Sequence, residues 1–184
     1  MKRIKKCEFG YIKYQRVVEI IKTLVMLGLC IATYYIGYLT TKSNKNLLTF
    51  VAILGVLPMA RCAVNAVLFI KAKGCSKEAF DKLSAAGLKV TLFDMYMTQY
   101  KNSFAFSACV YGKDSLIFFT EDEALDENLA KEHVDTVLAN ASLENITVKI
   151  FKDIDKFIER GLQMNGDSQS VNVTLLDNLK SVSI

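Results

Sequence analysis

Metal and disulfide chemistry both need residue pairs that this sequence lacks. It holds one histidine, His133, and no two of its five cysteines (Cys7, Cys30, Cys62, Cys75, Cys109) stand at metal-ligand spacing. A structural zinc centre needs four such ligands in close pairs, so no metal and no other cofactor is expected. The cysteine count is odd, and Cys30 and Cys62 lie inside apolar runs. That pattern fits a reducing compartment better than a disulfide framework. A catalytic constellation is missing as well: no base, nucleophile and oxyanion donor recur at a recognisable spacing.

A uniformly basic surface is also absent, although the chain carries a net charge of +4. Residues 1–22 hold seven bases against two acids, whereas residues 71–184 hold 13 bases against 17 acids. The C-terminal part is therefore mildly acidic, and no nucleic-acid partner is expected. The N-terminal segment carries a clear basic excess, and there Lys2, Arg3, Lys5, Lys6, Lys13 and Arg16 mix with Phe9, Tyr11 and Tyr14. Such a stretch suits anionic lipid headgroups, at about 1 kcal/mol for each base.

Charge is wholly missing from Thr23 to Thr41. Nineteen residues of helix extend about 28 Å, close to the thickness of a bilayer core. A second apolar run, Leu47–Ile70, follows after only five residues and is interrupted by Arg61 and Asn65. So short a link makes the two helices antiparallel neighbours. The following apolar run and the lack of a small-residue cleavage site argue against a signal peptide. Lys71, Lys73 and Lys77 join the N-terminal bases on one side, which the positive-inside rule places in the cytoplasm. Both termini are then expected at the inner face of a cell (inner) membrane, with Tyr34, Tyr35 and Tyr38 near the outer interface.

Three features of the hairpin invite a role. Gly28 and Ala32, four apart, permit close helix packing, either within the hairpin or in a homo-oligomer. Pro58 removes a hydrogen bond to residue 54 and predicts a kink. Arg61 is an intramembrane charge, with Asn65 on the same face. Pairing residue i with about 88 − i puts Arg61 level with Leu27, within snorkelling reach of phosphates. The alternative is a polar relay in an oligomeric pore.

Beyond Gly74 the pattern is that of a small α/β domain, residues 75–163. Ser76 caps a helix through Ala86 with Gly87 as its stop. Strands are expected at Lys89–Met97, Phe104–Tyr111 and Ser115–Thr120, the last two joined at residues 112–114. A helix starting near Thr120 or Asp126 carries Ala130, Val134, Val137, Leu138 and Ala141 at helical spacing. Ile146, Val148 and Ile150 alternate as a fourth strand, and Asp153 caps a helix with Ile154, Phe157, Ile158 and Leu162. The order is α-β-β-β-α-β-α, and the crossover makes the last two strands parallel in a mixed sheet. Residues 164–184 read as linker and tail, with an edge strand at Val171, Val173 and Leu175. His133 reads as a half-buried structural residue on its helix. The acids Glu121, Asp122, Glu123, Asp126 and Glu127 read as a solvated helix start.

The runs Tyr38–Thr41 and Asn46–Pro58 (YLTT and NLLTFVAILGVLP) resemble an uncharacterised group of two-span proteins from clostridia-like bacteria. That resemblance implies a bacterial inner-membrane location and no activity. The element order of the α/β part resembles the core of restriction-endonuclease-like nucleases. That family uses an acid near the second strand and an acid-x-Lys pair on the third. Here the second strand (FAFSACVY) and the third (SLIFFT) carry neither, and Asp94 and Asp114 have no lysine at the right spacing. The expected function is a membrane-anchored cytoplasmic module that binds a protein or small molecule. The alternatives are an oligomeric membrane effector or pore gated by that domain, and a nuclease-like hydrolase.

Overall fold

Two regions with opposite relations to water make up the chain. The structure, a computed structural model, describes residues 4–43, 45–99, 102–112, 114–141, 143, 146–165 and 173–183. It divides into one unit of residues 12–72 and another formed by residues 1–11 with 73–184.

The first unit is a pair of long helices, α1 (Tyr11–Thr41) and α2 (Leu47–Lys71). Both are long and apolar enough to cross a membrane. Their large apolar side chains point outward: Leu24, Leu29, Ile36, Phe50, Leu57 and Val64 are all exposed. A continuous apolar surface of this kind is stable only against another apolar medium or partner. The hydroxyls of Thr33, Thr40 and Thr41 donate to the carbonyls of Leu29, Ile36 and Gly37, each at 2.8 Å. That back-bonding satisfies these three hydroxyl donors within the helix itself. Asn46 caps α2, its side chain accepting from Thr49 N at 2.7 Å, and α2 continues through Pro58.

Two close approaches set the pairing of the helices. A Cβ on Gly37 would lie 2.7 Å from Leu48 Cβ, and one on Gly55 would lie 3.0 Å from Cys30 Sγ. Both contacts pair residue i with 85 − i. Gly28 and Ala32 are on the outer face, and nothing lies within 4 Å of a Cβ placed on Gly28. The helices therefore pack through Gly37 and Gly55, not through the Gly28–Ala32 pair.

The second unit is a four-stranded mixed sheet with helices on both faces. It runs α3 (Lys77–Ala85), β1 (Leu92–Gln99), β2 (Asn102–Gly112), β3 (Ser115–Phe119), α4 (Glu127–Asn140), β4 (Thr147–Phe151), α5 (Ile154–Asn165) and α6 (Val173–Val182). The strands lie in the order β1-β2-β3-β4. The first two pairings are antiparallel and β3–β4 is parallel. Ser76 caps α3 by accepting from Ala79 N at 3.0 Å, and Gly87, at φ +67°, ends it. Only a glycine adopts that left-handed turn without strain.

One face of the sheet packs Met95, Met97, Phe106, Leu116 and Phe118 against Ala130, Val134 and Leu138 of α4 and Leu175 and Leu179 of α6. The other packs Ala108, Val110, Ile117 and Phe119 against Leu83 of α3 and Phe157 and Met164 of α5. Burying aromatic and branched side chains at ~1.5–3 kcal/mol each is what holds this unit together.

Three expectations need correction. Residues 1–22, expected as one basic juxtamembrane segment, are divided between the α/β unit and α1. Cys7 is buried in the sheet's core, Cys7 O accepts from Phe93 N at 3.0 Å, and Phe9 stacks on Phe80 with ring centroids 4.0 Å apart. The helix then starts at Tyr11 rather than Thr23. Residues 164–184 are not a linker with an edge strand: α5 runs to Asn165 and α6 is a helix whose Leu175 and Leu179 are fully buried. Val171 lies outside the described residues. Finally, Leu162 is exposed rather than part of the α5 stripe.

Candidate functional site

A group of carboxylates and three grooves are the chemical resources of the α/β domain. The carboxylates gather where the chain leaves α2. Asp94 is buried within β1 at φ +49° and accepts from Cys75 N at 2.6 Å. Glu121 accepts from Ser76 N at 2.8 Å and from Ser107 Oγ at 3.1 Å. Asp122 holds Lys73 at 2.9 Å, and that contact raises the lysine pKa. Three carboxylates, one from β1 and two from the segment after β3, thus hold Lys73, Cys75 and Ser76. Asp94 interrupts the β1–β2 ladder between the Phe93–Ala108 and Met95–Phe106 pairs. A left-handed aspartate inside a strand is strained, and such strain persists only where surrounding bonds enforce it.

The acidic run after β3 is therefore only partly a solvated helix start. Asp126 caps α4, accepting from Asn128 N at 2.9 Å and Leu129 N at 3.2 Å. Lys152 Nζ donates to Glu123 O at 3.1 Å. Asp114, at φ +52°, lies in the β2–β3 turn away from these groups, and its carbonyl accepts from Thr147 N.

His133 is buried beside Phe104, with ring centroids 5.5 Å apart, and its Nε2 has no hydrogen-bond partner among the described residues. Burial lowers its pKa, so the ring is held neutral. Burial pushes the Cys7 and Cys109 thiols up, which makes both poor nucleophiles at neutral pH.

Grooves flank β4 on each face. One, of about 370 Å³, is lined by Lys131 and Asp135 of α4 together with Leu143, Ile146 and Val148. The other, of about 380 Å³, lies against α5 and is lined by Lys149, Phe151, Lys156, Glu159, Arg160 and Gln163. A smaller one of about 150 Å³ adjoins Ser76, Glu78, Lys82, Glu121 and Lys152.

In the helical hairpin, Arg16 donates from Nε to Phe69 O and from Nη2 to Ala72 O, both at 2.9 Å. Expected at the headgroups, it instead caps the carbonyl end of α2, where a cation is favoured by the helix dipole. Glu19, only 5% exposed, accepts from Gln15 at 3.0 Å and pairs with Lys22 at 2.7 Å. Sequence reasoning missed Glu19, although its spacing from Arg16 and Lys22 marks one helix face. Lys5 and Lys13 are exposed and Lys6 is half-buried; Lys2 and Arg3 lie outside the described residues. Arg61 is exposed, Asn65 is half-buried, and neither makes a side-chain hydrogen bond or ion pair among the described residues. Comparison with family models, with curated proteins and with solved structures finds no match.

Proposed function

We propose that this chain is a membrane-anchored module whose α/β domain binds a protein or small-molecule partner at the cytoplasmic face of a bacterial inner membrane. The observation that carries the reading is the double attachment of the α/β domain to the chain segments flanking the helices. The segment before α1 is held by the Phe93–Cys7 hydrogen bond and the Phe9–Phe80 stack. The segment after α2 is held by Asp94, Glu121 and Asp122. A tether fixed at both ends suits a domain that must remain at a surface while presenting its grooves. The orientation is supported by the bases at the ends of the helices, Lys5, Lys6 and Lys13 before and within the first turn of α1, and Lys71, Lys73 and Lys77 at and beyond the last residue of α2.

Three measurements test this. The full chain is expected to stay in the membrane fraction after alkaline extraction. A cysteine in place of Ser43, in the link between the helices, is expected to react with an impermeant reagent in whole cells. Pull-down from detergent extracts, with a metabolite screen, is expected to recover a partner. Release by alkali, or labelling of the α/β domain from outside, overturns the anchoring. An empty pull-down together with an empty screen overturns the binding role.

A further inference from the structure

The groove between β4 and α5 holds three bases, Lys149, Lys156 and Arg160, against one acid, Glu159. Arg160 is its informative member. Nη1 donates to Gln163 Oε1 at 3.1 Å, which fixes the guanidinium plane. Nε is buried and has no acceptor among the described residues. Buried donors without a partner are uncommon in folded chains, and each calls for an explanation. Nε and the adjacent Nη2 form the edge of a guanidinium that takes two oxygens side by side. Gln163 occupies the other end of the group, and among the described residues no acceptor meets that edge.

Lys156 lies one turn before Arg160 and shares its helix face. Its contact with Asp153, at 3.7 Å and well exposed, is weak and leaves its other donors open. Lys149 is exposed on the edge strand, and Phe151 supplies an apolar wall.

We propose that this groove binds a phosphate group, seated on the Nε–Nη2 edge of Arg160 with Lys149 and Lys156 supplying the counter-charge. The inference rests on the binding-module reading and names its ligand class. A doubly charged tetrahedral oxyanion matches three cations and one carboxylate more closely than a singly charged planar group does. The same chemistry is offered by a soluble phosphomonoester and by a phosphatidic acid headgroup.

The test is calorimetric titration of the full chain in phosphatidylcholine nanodiscs with inorganic phosphate. Binding is expected in wild type. Arg160→Lys keeps the charge but loses the paired donors, and is expected to weaken binding about tenfold. Lys149→Ser removes one exposed charge and is expected to weaken it about threefold, which keeps the test decisive if Arg160→Lys does not fold. No heat with phosphate, tighter binding of succinate, or wild-type affinity in folded variants overturns the proposal. Discs containing phosphatidic acid distinguish the sources. Loss of phosphate binding there assigns the site to the headgroup, and unchanged binding assigns it to a soluble ligand. A failed titration beside a productive pull-down overturns this site alone and leaves the module reading intact.

Discussion

The paired helices and the α/β domain are both rich in apolar residues, yet they place them in opposite ways. Around the sheet, Phe106, Phe118, Leu116 and Phe157 are fully buried. On α1 and α2, Leu24, Ile36 and Leu57 face outward, and Leu57 is 70% exposed. Composition alone cannot separate these cases; the position of the polar residues does. In the domain, charged residues such as Lys82, Glu132, Asp135 and Glu159 lie on the outer faces of the helices that cover the sheet, and those faces turn to solvent. In the helices, charges are confined to the ends and to Arg61, so no face is left for water. The domain is stabilised by burial within itself, and the helices by whatever apolar medium surrounds them.

The largest expected effect follows directly. Phe118→Ala empties the centre of the sheet, where Phe118 packs on Phe106 with ring centroids 4.5 Å apart, and should cost about 3–5 kcal/mol. Leu57→Ala should leave unfolding of the domain unchanged. Chemical denaturation of both variants in detergent, read by near-ultraviolet circular dichroism, checks the contrast. Equal losses would mean that the two regions unfold as one.

A slightly smaller effect is expected from Leu179→Ala, at about 2–5 kcal/mol, because Leu179 is fully buried against the α4 side of the sheet. If the C-terminal segment were merely a tail, the substitution would be silent. Here sequence reading failed for a physical reason. The alternation Val171, Val173, Leu175 mimics a strand over a few residues, too few to separate the two periods. Leu175 and Leu179, one helical turn apart, were the signal that decides for a helix, and they enter the core only because α4 and the sheet leave room for them. The same ambiguity hid the start of α1. Lys13, Arg16, Glu19 and Lys22 read as a surface stretch, but their spacing of three keeps one helix face polar while α1 continues.

What was legible had strong local causes. Two apolar runs with a five-residue link give the paired helices, Ser76 and Gly87 bracket α3, and Gly112 and Asp114 close the β2–β3 turn. The carboxylate clamp on residues 73–76 was not legible. Asp94 and Cys75 are brought together by the sheet, and no local pattern announces a bond between residues so far apart in sequence.

Within the helices, glycines give a sharper comparison. Gly37→Ala would set a Cβ against Leu48 and Asn46, both under 3 Å away, and should destabilise the pair by about 1–3 kcal/mol. Gly28→Ala meets nothing within 4 Å and should be neutral or slightly favourable, since alanine is the better helix former. Cross-linking between cysteines placed at residues 33 and 52 follows the pairing. A fall in yield for Gly28→Ala and not Gly37→Ala would reverse the assigned interface.

In the domain, His133 predicts a pH effect. Its folded pKa lies below the ordinary value of 6.5 because burial disfavours the charged ring. The unfolded chain therefore binds the proton more readily. His133 imposes no protonation penalty above about pH 6.5, and its destabilising effect grows as pH falls from there toward the folded pKa. Denaturation curves for wild type and His133→Gln should diverge in slope only on that acid side. Parallel curves throughout would remove His133 as the source.

Arg61 should give the smallest effect, and it decides whether the helices do more than anchor. With the observed pairing Arg61 stands level with Leu24, nearer the charged end of the pair than the expected level of Leu27. It is exposed, and its side chain makes no hydrogen bond or ion pair among the described residues. An arginine so placed extends its stem along the helix and reaches headgroup phosphates. Lysine reaches them as well, so Arg61→Lys should change stability by no more than about 0.5 kcal/mol. Arg61→Leu should anchor at least as firmly, because it removes a charge whose insertion costs about 2.5 kcal/mol at the helix centre and less toward the edge. A relay or pore would instead depend on the planar, two-donor edge that only arginine presents. Membrane retention and native mass spectrometry of both variants separate the cases. If Arg61→Lys inserts normally but loses a defined oligomer, Arg61 belongs to an assembly, and the helices are a working part of the protein rather than its attachment.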